Sequence, residues 1–93
     1  MSKKLRVIKA KAHSYFDPLW QNKVFNKNRS LSYNRKQAYK WLSIMMNIPE
    51  SKCHIGLFDV DTCRKVIKIC KRKQVEEGIY INEYAMSKRR INK

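Results

Sequence analysis

Ninety-three residues carry 22 Lys+Arg against 7 Asp+Glu, a formal net charge of +15 with a sequence pI near 10.1. A chain of 11.2 kDa has room for one domain, burying roughly 60–65% of the surface its unfolded form exposes, which excludes two-domain enzymes and doubly wound sheets. Hydrophobic residues at 43% and aromatics at 11% supply enough apolar material for a core, so the chain is not a disordered basic tail.

Two glycines, Gly56 and Gly78, and two prolines, Pro18 and Pro49, are all the punctuation the chain has, which favours helices over a turn-rich β architecture. From Lys3 onward Leu5, Ile8, Ala12 and Tyr15 or Phe16 recur at helical spacing, with Lys4, Lys9 and Lys11 off the centre of that stripe. The helix is expected to end near Asp17, because the residue before Pro18 is pushed out of the α region. Asp17 would then cap a short turn led by Pro18 that aims Leu19 and Trp20 at the core. Residues 21–32 form a polar loop. Asn34 looks like an N-cap with Gln37 three residues on, and Tyr33 sits where a hydrophobic staple would start. The second helix runs to about Asn47, with Ala38, Trp41, Leu42, Met45 and Ile48 inward and Arg35, Lys36 and Lys40 outward. A connector over 49–58 holds Cys53, His54 and Gly56. Asp59 or Asp61 caps the third helix, whose inward face is Cys63, Val66, Ile67 and Cys70, and Gly78 stops it. The stretch 79–84 suits a short strand or extended segment, and 86–93 is a basic tail. The expected fold is therefore all-α. A small bundle of three main helices covers residues 1–78 around Trp20, Trp41, Leu42, Met45, Val66 and Ile67, with an extended, basic tail over 79–93.

The chain has no apolar run near the roughly 18–20 residues of a membrane span, and its basic start leads into no signal-type apolar stretch. A soluble cytoplasmic protein without a membrane partner is expected. The three cysteines cannot all pair and show no two-residue spacing, so reduced thiols are expected. His13, Cys53, His54, Cys63 and Cys70 are the zinc-type donors. Only Cys53 and His54 are local, neighbours on an extended segment point to opposite sides, and Cys63 and Cys70 suit a helix face as small apolar groups. His13 with Asp17 and His54 with Asp59 could form acid–base pairs. The simpler account has both acids capping turns and both histidines hydrogen-bonding across the connector. With no nucleophile beside a base, no glycine-rich phosphate loop and no carboxylate cluster for magnesium, no catalysis, cofactor or metal is expected.

The charge itself points furthest. Lys3, Lys4, Arg6, Lys9 and Lys11 fall in an opening without one acid, and Arg64, Lys65, Lys68, Lys71, Arg72 and Lys73 are likewise uninterrupted by acids. Such clusters bind phosphates with release of counterions, and lysine in excess over arginine suits backbone attraction more than base reading. Trp20, Trp41, Tyr15, Tyr39, Phe16 and Phe58 lie opposite the lysines and belong to the core first. Tyr33, Tyr80 and Tyr84 are the exposed stacking candidates.

Three segments together resemble a known family: Arg6 to Trp20 (RVIKAKAHSYFDPLW), Asn34 to Ile48 (NRKQAYKWLSIMMNI) and Cys53 to Ile67 (CHIGLFDVDTCRKVI). The pattern is Ala12, His13, Phe16, Asp17, Pro18, Leu19 and Trp20; then Arg35, Ala38, Tyr39, Trp41 and Leu42; then His54, Ile55, Gly56, Phe58, Asp59 and Cys63. It is similar to the C-terminal helical part of a zinc-finger-containing domain of unknown function found largely in bacteriophages and prophages. Members of that family place a cysteine-rich zinc-binding segment ahead of the helices, whereas this sequence starts almost directly at the first helix, so the zinc finger is not carried over. The resemblance implies a phage-type accessory protein acting in the host cytoplasm. The function expected from charge and context is non-catalytic nucleic-acid binding, to DNA or RNA, through phosphate contacts. The alternative is a phage-encoded, anti-CRISPR-like inhibitor whose partner is a host defence nuclease or another host protein.

Overall fold

The computed structural model describes residues 2–79. The expected extended segment beyond Ile79 and the basic tail lie outside the described residues. Three helices, α1 (Lys3–Gln21), α2 (Leu31–Met46) and α3 (Val60–Glu77), are joined by a loop and by a connector with two 3₁₀ turns at Glu50–Lys52 and Ile55–Leu57. Among the described residues there is no strand, and the all-α class expected from the punctuation holds.

Each helix opens on a side-chain cap that accepts from the N–H three residues on. Ser2 Oγ takes Leu5 N–H at 3.1 Å, Ser30 Oγ takes Tyr33 N–H at 3.1 Å, and Asp59 Oδ1 takes Thr62 N–H at 2.8 Å. Asp59 is thus the cap of α3, with Asp61 in its first turn. The expected cap of α2 is corrected: Ser30 holds that role, and Asn34 lies inside the helix, fully buried. Its amide acts as a clamp on the preceding loop, accepting from Asn26 N–H at 2.9 Å and donating at 2.9 Å to the carbonyls of both Asn26 and Ser30. A buried amide with this many backbone partners serves loop closure better than it would serve a cap.

The end of α1 is also corrected, since the helix continues through Pro18 to Gln21. Pro18 removes only the bond to the Ser14 carbonyl, and Ser14 is exposed, so water can satisfy that oxygen. Continuation keeps Leu19 on the stripe of Ala12 and Phe16, all at zero exposure. The gain from burying a leucine, about 2 kcal/mol, offsets a solvated carbonyl. Asp17 therefore caps nothing, and its carboxylate accepts instead from Trp20 Nε1 at 3.0 Å.

All three helices close in the same way. A left-handed residue, Lys23 (φ 52°), Asn47 (φ 57°) or Gly78 (φ 71°), turns the chain. The next N–H, from Val24, Ile48 or Ile79, then returns to the carbonyl of Leu19, Ser43 or Gln74. Gly78 ends α3 as expected.

The core lies between the helices and under the connector. Phe16, Leu19, Leu42, Ile55 and Val66 are its largest fully buried apolar side chains, joined by Cys53, Cys63 and Cys70. The expected inward face of α3 is buried throughout. The expected centre is corrected in three places. Trp20 and Trp41 are half-buried against the rim, and Met45, on the last turn of α2 where little packs over it, is 48% exposed.

Candidate nucleic-acid interface

The most extensive helix contact joins α1 to α3, and the two helices run parallel. At one end Lys3, Lys4, Val7 and Ile8 share a groove with Val60 and Arg64. At the other, Gln74 Nε2 donates to the Tyr15 carbonyl and Lys71 Nζ lies 5.1 Å from the Tyr15 ring centroid. The two acid-free basic stretches therefore lie side by side along one seam. Between their first turns the groove, about 400 Å³, is floored by apolar side chains and bordered by Lys3, Lys4 and Arg64.

At 3.6 residues per turn, Lys3, Lys4 and Lys11 fall on the flank of α1 next to α3, while Arg64, Lys68 and Lys71 fall on the flank of α3 next to α1. These six, all exposed, form the continuous part of the basic surface. Lys65 and Arg72 stand on the outermost ridge of α3 and are exposed. The remaining three of the eleven expected residues point elsewhere. Lys9 Nζ donates to the Gly56 carbonyl at 2.6 Å and ties α1 to the connector, and Arg6 shares that flank. Lys73 pairs with Glu77 at 3.2 Å and lies about 6 Å from the rings of Phe25 and Trp41. Along the seam the acids sit at the first turn of α3, where Arg64 meets Asp61 at 3.6 Å between exposed partners, a pair of little energetic weight.

The histidines do not hydrogen-bond across the connector as expected. His13 Nδ1 faces Asp17 Oδ1 at 3.7 Å within α1, and His54 packs its ring against Tyr39, centroids 5.6 Å apart. Of the three exposed stacking candidates, Tyr33 is half-buried with the Arg29 guanidinium 4.0 Å above its ring, and Tyr80 and Tyr84 lie outside the described residues.

One arrangement brings together residues that the sequence assigns to different places. The sequence places Arg35, Lys36 and Lys40 on an outward face, Tyr39 in the core and His54 in a structural role, yet all five line one groove between α2 and the connector. Burial lifts the Tyr39 hydroxyl above its ordinary pKa, against the opposing pull of the Arg35 charge. The signal was present in the four-residue spacing of Arg35 with Tyr39 and of Lys36 with Lys40, which puts each pair on one flank.

A tetrahedral zinc site needs four thiolate or imidazole donors converging on one point. Among the described residues no three side chains of His, Cys, Asp and Glu gather closely enough to hold a metal. The three thiols are unpaired and buried in the core, where burial pushes Cys53 up to about 11 and Cys70 to about 12. The described residues therefore do not fit a zinc finger. No helix among them is long and apolar enough to cross a membrane.

Comparison with curated proteins and with solved structures gives no match. A family model described as a zinc-finger-containing domain matches residues 1–73, which takes in α1, α2, the connector and all of the basic stretch of α3. The chain belongs to this zinc-finger-containing domain family.

Proposed function

We propose that the protein binds nucleic acid through phosphate contacts along the α1–α3 seam, without catalysis and with little sequence preference. The observation that carries this reading is the parallel packing of two helices along their acid-free basic stretches, which sets Lys3, Lys4, Lys11, Arg64, Lys68 and Lys71 beside one another. Lysine predominates there, and lysine meets phosphate as a point charge where a bidentate base contact calls for arginine. A net charge of +15 on 93 residues also concentrates polyanions around the protein before any contact forms. The parallel helices add the positive ends of their dipoles at the groove where Lys3, Lys4 and Arg64 meet.

The test is binding of the full chain to duplex and single-stranded oligonucleotides across a salt series. Engagement of about five phosphates predicts a slope of log affinity against log salt of roughly −4 to −5 on duplex. Replacing Lys4, Lys11 and Lys68 together with alanine should flatten that slope by roughly 2–3, while Arg6→Ala, on the other flank, leaves affinity within about twofold. Lack of binding to either oligonucleotide at low salt would overturn the reading and turn attention to an acidic protein partner, such as the host nuclease of the alternative reading.

A further inference from the structure

We infer that the groove between α2 and the connector is a second site, which takes a nucleoside monophosphate unit, free or as an unpaired residue of a strand. It has a volume of about 610 Å³, within the roughly 300–1,000 Å³ range of small-ligand sites. Three cations, Arg35, Lys36 and Lys40, line it against one acid, Glu50. Its centre is Tyr39, whose ring rests on buried Phe16 with centroids 4.6 Å apart. Thus anchored, Tyr39 supports two further flat groups, the Arg35 guanidinium 5.3 Å from its centroid and the His54 ring at 5.6 Å. Both Arg35 and His54 are exposed.

This combination suits a nucleotide. Unpaired bases stack on imidazole rings and guanidinium planes, and a phosphate beside the stacked base finds Arg35, Lys36 and Lys40 within the same groove. Duplex DNA offers no free base face to the groove, so the seam and the groove divide the work between backbone attraction and recognition of unpaired residues. The assignment rests on the nucleic-acid reading above, yet it involves a different surface, because no residue of the groove belongs to the seam.

Three probes test it: a twenty-residue oligothymidylate, a relaxed closed circular duplex, and adenosine monophosphate. Arg35→Ala with His54→Ala should weaken oligothymidylate binding by about 5- to 150-fold, the range for losing one stacked base, and leave the circular duplex within about twofold. His54→Phe, which keeps a stacking plane, should restore most of the loss when Arg35 is intact. Saturable binding of adenosine monophosphate that the double variant abolishes identifies a free nucleotide as ligand; loss confined to the oligonucleotide identifies an unpaired strand residue. Equal weakening on both nucleic acids, or no weakening on any probe with the circular dichroism unchanged, would overturn the assignment. Failure of the seam reading looks different, since binding to the circular duplex is then absent in the parent protein.

Discussion

Replacing Asn34 tests whether one buried amide holds the α1–α2 loop. Its side chain is at zero exposure, and its three bonds at 2.9 Å satisfy the Asn26 N–H, the Asn26 carbonyl and the Ser30 carbonyl. Asn34→Ala removes all three and leaves part-buried backbone groups to find water. At about 1 kcal/mol net per bond, with partial rehydration, the cost is about 2–3 kcal/mol. For a domain of this size that lowers the melting temperature by roughly 10–20 °C. Asn34→Asp keeps the acceptor for Asn26 N–H but sets a carboxylate against two carbonyls with no proton between them. The folded state then holds that carboxyl above its unfolded pKa. The penalty is therefore full at neutral pH and shrinks as pH falls toward the unfolded carboxylate value, where a protonated oxygen can donate. Urea unfolding of parent and both variants between pH 4 and 7 reads this directly. A cost below about 0.5 kcal/mol for Asn34→Ala, with Asn34→Asp tracking the parent at every pH, would refute the clamp.

Lys23 occupies a left-handed position that glycine adopts without strain, so Lys23→Gly should raise stability by about 0.5–1 kcal/mol in the same urea assay, and a loss would show that the side chain contributes more than its strain. The Asp59 carboxyl is held below its ordinary pKa by its hydrogen bonds to Thr62, so the stability it adds is present above pH 4 and disappears as pH falls through its depressed folded value. The gap between parent and Asp59→Ala should close in acid, and a gap independent of pH would rule out the charged cap. All three thiols should resist an aromatic disulfide reagent at pH 8 until denaturant is added, with Cys70, at about 12, the most protected; rapid labelling of Cys53 in the native protein would contradict its burial.

The inward faces were legible where periodicity and packing agree, as along Cys63, Val66, Ile67 and Cys70. They were least legible at helix ends. Asn34 looks like a cap because asparagine usually is one, and only the loop folding back from Asn26 shows that it serves as a buried clamp. Pro18 looks like a terminus because the local steric rule says so, and the burial of Leu19 one residue later outweighs it. Glycine announced the end of α3, but the equivalent closure at Lys23 carries no compositional mark. The basic stretches could be read along the chain, whereas their merger could not, since it depends on α1 and α3 being parallel. The second groove was hidden for a related reason, because Tyr39 and His54 meet only once the connector folds over α2.

The seam between α1 and α3 has a consequence for how the protein is made. Gln74 and Tyr15, whose contact helps close it, stand 59 residues apart. A chain emerging from the ribosome can pack α1 only against α2, where Phe16 meets Tyr39, and against the connector until α3 has been synthesised, and the part of the α1 stripe that α3 covers is open to wrong partners in that period. The same separation makes the basic surface all-or-none. A proteolytic cut in the connector leaves its two halves on different fragments, held together only by the packing of the core, so loss of polyanion affinity at the seam should accompany loss of the folded core.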